Sequence, residues 1–128
     1  MLIIKYVCVL ICYMSTEHEV EAFLKDFKIK MNLWGVLIRD DPSKNTQTLI
    51  NLEISRKDRN EILQALEVKD YCEGPLTETL YNGADMWVFG KTIKGTEVYI
   101  KITLGILGSN VICISFHIAE YAMSYPLK

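Results

Sequence analysis

The last third of the chain alternates. Residues 86–93, 96–104 and 110–118 are three runs rich in β-branched and aromatic side chains, separated by Lys94-Gly95 and by Gly105 to Ser109, the pattern of short strands joined by turns. They predict an antiparallel meander. Lys94-Gly95 has the length and the glycine of a two-residue hairpin turn, which pairs Phe89 with Ile100, Val88 with Lys101 and Trp87 with Ile102. A symmetric loop over 105–109 then sets Val98 against Phe116, Ile100 against Ile114 and Ile102 against Ile112. Both registers gather Trp87, Phe89, Val98, Ile100, Ile102, Ile112, Ile114, Phe116 and Ile118 on one face, which is the expected core. The opposite face receives Val88, Gly90, Tyr99, Lys101, Val111, Cys113, Ser115 and His117. A one-residue slip would exchange the two faces wholesale.

Upstream the period changes from two to about 3.6. Thr16-x-x-Glu19 reads as a capping box, and Val20, Phe23, Leu24, Phe27 and Met31 follow on one helical stripe, so a helix is expected from Ser15 to about Asn32. Gly35-Val36-Leu37-Ile38 reads as a short strand, stopped by Arg39-Asp40-Asp41-Pro42 with a loop through Lys44. Two further helices are predicted, over 45–53 and 55–67. Ser55-x-x-Asp58 opens the second, and Ile62, Leu63 and Leu66 form its buried side. Residues 69–83 read as a connector, with a turn and a single helical turn at Gly74-Pro75 and another turn at Asn82-Gly83. The expected class is α+β, with N-terminal helices packed on one face of the C-terminal meander.

Residues 1–14, MLIIKYVCVLICYM, stand apart from this pattern. The run is nearly all apolar, with Lys5 its only charge. It is shorter than the roughly 20 apolar residues that span a bilayer, and Ser15-Thr16-Glu17-His18-Glu19 after it offers no small-x-small cleavage site. It is expected to be an N-terminal extension to a single domain over 15–128: either an edge strand, or the product of a start codon assigned too early, with Met14 the true start. No association with a membrane is expected.

Composition narrows the chemistry. At 128 residues, half of them hydrophobic and 23% charged, the chain fits one globular domain. The formal net charge of −2 gives no general basic excess of the kind nucleic-acid binders show. The charge is uneven, however. Residues 1–85 carry 10 basic and 14 acidic residues, net −4, whereas residues 86–128 carry 4 and 2, net +2. Any nucleic-acid site therefore belongs to the sheet. Cys8, Cys12, Cys72 and Cys113 show no C-x-x-C spacing, so no zinc site, no other metal site and no cofactor is expected, and free thiols point to a reducing, cytoplasmic setting.

On the outward face Tyr99, Lys101 and His117 share one surface. Tyr99 is expected opposite Ser115, with His117 its diagonal neighbour about 7–8 Å away, within reach for long side chains. A phenol, an ammonium and an imidazole can together bind a phosphate and move protons. The same residues also fit an ordinary wet sheet face, with His117 bonded to Glu97 and Tyr99 packed on Lys101.

Glu97-Val-Tyr-Ile-Lys-Ile-Thr103 followed by Val111-Ile-Cys-Ile-Ser-Phe-His117 resembles the MqsR family of bacterial toxins, of the RelE/ParE-like superfamily. The likeness is to a Val-Tyr-Leu-Lys-Ile-Thr strand and a closing Ile-Val-Ser-Phe-Lys strand, with a family Trp corresponding to Trp87. It extends back to about residue 16 and leaves out residues 1–14 and the tail after Ile118. The resemblance implies a RelE-like fold and the toxin of a type II toxin–antitoxin pair. Its activity would be that of an mRNA interferase, a metal-free endoribonuclease that cuts RNA by attack of the 2′-hydroxyl on the adjacent phosphate. The implied partner is an antitoxin with a helix-turn-helix DNA-binding domain. The family's catalytic Tyr falls on Tyr99 and its C-terminal catalytic Lys on His117, whereas its Gln falls on Val88 and its upstream Lys near Glu73.

The expected catalytic residues are therefore His117, Tyr99 and Lys101, with Lys91, Trp87 and Ser115 as substrate-binding residues. Lys91 takes that role only if the strand end frays, since the derived register points it to the core side. The alternative, favoured by Val88 and Glu73, is a non-catalytic protein-binding module that uses the sheet face or an edge strand.

Overall fold

The computed structural model describes residues 2–39, 42–77 and 84–128, and for residues 2–16, 42 and 43 the backbone alone. Helix α1 runs from Leu2 to Trp34. The apolar N-terminal run is therefore helical and continuous with α1, which corrects the edge-strand expectation, and the expected cap at Thr16 lies inside the helix. Gly35 ends it: at φ +80° its N–H donates to Met31 O at 2.7 Å, a left-handed C-terminal cap that glycine adopts without strain. Among the described residues no helix is long and apolar enough to cross a membrane.

Strand β1 (Val36–Ile38) follows. Helix α2 (Pro42–Leu52) begins where a loop through Lys44 was expected. Proline in the first helical turn gives up only an N–H that has no helical partner there, so Pro42 starts this helix rather than blocking it. Helix α3 (Arg56–Gln64) opens as predicted: Ser55 N donates to Asp58 Oδ2 at 2.8 Å and Asp58 N donates to Ser55 Oγ at 3.0 Å. It stops short of the expected Glu67 and is followed by a 3-10 turn over Val68–Asp70. Ser55→Ala is expected to cost about 1 kcal/mol, measured by urea unfolding.

The sheet has five strands in the order β1-β5-β4-β3-β2: β2 (Tyr71–Leu76), β3 (Met86–Ile93), β4 (Thr96–Thr103) and β5 (Val111–Ile118) besides β1. It is mixed, because β1 runs parallel to β5, with Val36 opposite Val111. The α+β class holds. β2 occupies part of the expected connector, and the predicted Asn82-Gly83 turn lies outside the described residues. Gly74 and Pro75 sit within β2, which is tolerated because β2 is an edge strand with two register shifts against β3.

The β3–β4 hairpin has the expected register throughout, from Met86 opposite Thr103 to Ile93 opposite Thr96. The β4–β5 pairing does not. Thr103 lies opposite Ile112 and Ile102 opposite Cys113; a bulge at Ile114 then brings Lys101 opposite Ser115, Ile100 opposite Phe116 and Tyr99 opposite His117. Gly105 and Gly108, both at positive φ, let the loop turn between Ile106 and Ser109 and close one residue later than a symmetric loop. Val111 and Cys113 therefore face the core, both fully buried. The expectation that Ile112 and Ile114 fill those core positions is corrected, although Ile112 is itself buried.

One cluster joins Val20, Phe23, Leu24, Phe27 and Met31 of α1, Leu52 of α2 and Leu63 of α3 to the inner sheet face. At its centre Phe23 stacks on Trp87, ring centroids 4.7 Å apart, with Phe89 at 6.1 Å and Phe27 at 5.9 Å. The helices cover this face, and the opposite face of the sheet carries the candidate site.

Candidate functional site

Tyr99 and His117 are central on that outer face. The bulge makes them direct cross-strand partners instead of diagonal neighbours, and their rings stack at 5.0 Å with an interplanar angle of 15°. His117 Nδ1 lies 3.0 Å from Ile118 O. A carbonyl only accepts, so Nδ1 carries the proton, and in the neutral ring Nε2 is left as the acceptor. The expected contact of His117 with Glu97 does not form; Glu97 takes hydrogen bonds from Tyr125 Oη at 2.8 Å and Met123 N at 3.1 Å. Lys101 Nζ lies 5.8 Å from the centre of the Tyr99 ring, and Ser115 faces Lys101 across the strands.

These four side chains line a cleft of about 550 Å³. Cys72 and Glu73 of β2 and the buried Val88 of β3 line it too, Glu73 lying directly opposite Val88. Lys44 and residues 119–124 complete the lining. Burial pushes the Tyr99 phenol above its ordinary value, and the Glu73 carboxylate pushes the same way. The Cys72 thiol is pushed up to about 12, first by burial and then by Glu97, Asp70 and Glu73. Both groups therefore hold their protons at neutral pH, which makes Tyr99 a proton donor and Cys72 a poor nucleophile.

Two expected substrate-binding residues lie elsewhere. Trp87 is in the core against Phe23, because every second residue of β3 turns inward. Lys91 points to the same side at the strand end and pairs with the buried Asp70 at 3.2 Å, outside the cleft. Sequence pattern does not single out Lys44, Cys72 or the tail. The aromatic residues Tyr121 and Tyr125 are the one signal in the tail; Lys44 leaves none, since it reaches the cleft only through the fold.

No protein-family model, curated protein or solved structure matches the chain.

Proposed function

We propose that the chain is a metal-independent endoribonuclease of the RelE-like type, the toxin of a toxin–antitoxin pair, with its active site in the Tyr99–His117 cleft. One observation carries the reading. The three positions onto which the resemblance to the MqsR family places active-site groups, Val88, Tyr99 and His117, and Glu73, near which it places the fourth, come from four different strands and line one cleft. Two of the four hold groups able to do the chemistry, and Lys101 adds the cation.

In this mechanism His117 Nε2 takes the proton of a ribose 2′-hydroxyl. The 2′-oxygen forms a bond to the adjacent phosphorus, and the bond from phosphorus to the 5′-oxygen breaks with its electron pair. Tyr99 protonates that leaving oxygen. Lys101 offsets the charge that builds on the phosphoryl oxygens, with the Ser115 hydroxyl beside it. The products are a 2′,3′-cyclic phosphate and a 5′-hydroxyl end, and a proton returned from His117 to Tyr99 resets the pair. The proposed partner is a helix-turn-helix antitoxin that blocks the cleft.

A second reading, a protein-binding module without catalysis, draws on Glu73 and Val88, which supply a negative charge and an apolar surface where the family has polar donors. End-labelled RNA separates the two. The enzyme leaves cyclic phosphate ends and spares the same RNA carrying 2′-deoxy residues; cleavage at the 2′-deoxy positions, or none of either RNA, would refute it.

A further inference from the structure

Residues 119–125 do not leave the sheet; they fold back along its outer face. Ala119 N donates to Glu97 O at 2.9 Å. The Glu97 carboxylate then receives both Met123 N and Tyr125 Oη; burial first, and then the bond to Glu97, push the Tyr125 phenol up. Tyr125 is seated over Gly90, where a Cβ would come within 2.9 Å of its ring carbons. On the far side Glu120 Oε1 meets Lys44 Nζ at 3.4 Å. The segment between these anchors is one wall of the cleft, and in it stands Tyr121, 83% exposed.

Tyr121 and Tyr125 thus differ in kind. Tyr125 is spent on holding the tail, through its hydroxyl and its contact with Gly90. Tyr121 offers a large ring to solvent, on a segment fixed on both sides, in the wall of the cleft that the stacked Tyr–His pair and Lys101 also line. Leaving an aromatic ring wet forgoes the stabilisation its burial would bring. A ring next to a phosphate-binding cation is how proteins hold unpaired nucleotides, because every base has a face to stack.

The geometry points to Tyr121 as the base-binding residue of the site: it stacks a nucleobase of single-stranded RNA whose phosphate lies at Lys101. The inference rests on the RNA reading above and adds a substrate class to it. A base inside a duplex is already stacked on its neighbours and cannot offer its face to a side chain, so single strands are selected.

The test uses the full chain and a short fluorescein-labelled 2′-O-methyl RNA, which cannot be cut because its 2′-oxygens are methylated. Binding is read by fluorescence anisotropy, with the melting temperature of each variant as a check on folding. Tyr121→Ala is expected to weaken binding about tenfold or more, whereas Tyr121→Phe and Tyr121→Trp keep it, all with unchanged melting temperatures. An excess of unlabelled duplex RNA should compete far more weakly than single strands. If Tyr121→Ala binds as tightly as the parent, or Tyr121→Phe loses as much as Tyr121→Ala, stacking is overturned while the RNA reading stands. If the parent protein binds no RNA, both fall.

Discussion

His117→Ala is expected to lower the rate of RNA cleavage by about 10²- to 10⁴-fold, the usual loss when a general base is removed, with little change in stability. Its ring lies on the outer face, stacked on Tyr99, and among the described residues its side-chain hydrogen bond is to the neighbouring Ile118 carbonyl, so the core does not depend on it. Lys101 and Ser115 remain in the variant, and phosphate binding should survive. The loss therefore falls on kcat rather than KM. Tyr99→Phe is the complementary case. Burial, aided by Glu73, raises the phenol above its ordinary value, so the acid form persists past about pH 10, where a free tyrosine ionises. The alkaline limb of the parent's pH–rate profile, where the general acid is lost, should accordingly lie above that value. In Tyr99→Phe the limb disappears and the remaining rate is low at every pH.

The largest effect on stability is expected at Phe23. Its ring stacks on Trp87 and lies within about 6 Å of the Phe89 and Phe27 rings, and only 6% of its surface is exposed. Phe23→Ala removes the side chain that joins α1 to β3 and leaves a cavity between aromatic neighbours that cannot close around it. A truncation of that kind costs about 3–5 kcal/mol, a large share of the roughly 5–15 kcal/mol that holds a typical domain together. Urea denaturation should show the midpoint falling with little change in slope. A loss under about 1 kcal/mol would mean that α1 does not carry the core as described.

The outer-face site is legible in the sequence even though the β4–β5 register is not, and the reason is a parity. The loop between β4 and β5 closes one residue later than a symmetric loop would, and the bulge at Ile114 adds one residue more. Each shift exchanges the faces of β5, and two shifts restore them. Ser115 and His117, beyond the bulge, therefore stand on the outer face as alternation predicts. Val111 and Cys113, between loop and bulge, are inverted and buried. Alternation cannot report a bulge, since Val111, Ile112, Cys113 and Ile114 are all apolar and either phase fits.

Elsewhere the limits are chemical. The α1 stripe is plain because Val20, Phe23, Leu24, Phe27 and Met31 recur on a single face and all five are buried. The β2 strand is hidden by Gly74-Pro75, residues that argue against a central strand but are tolerated at an edge. Pro42 reads as a stop because the same residue that ends one element can begin the next. The tail's place over Gly90 depends on a contact between Tyr125 and a missing side chain, which no local pattern encodes. The uneven charge maps onto the cleft only in part: Lys101 comes from the slightly basic sheet, whereas Lys44 and Glu73 come from the acidic part of the chain.

The measurement that bears most directly on the Tyr99–His117 cleft is RNA cleavage by the purified parent protein and by the Tyr99→Phe/His117→Ala double variant, assayed side by side on one labelled RNA. Cyclic phosphate ends from the parent, and a rate for the double variant at least about 10²-fold lower with its fold intact, are the expected result. Cleavage that persists at the parent's rate in the double variant would place the active site elsewhere and contradict the account.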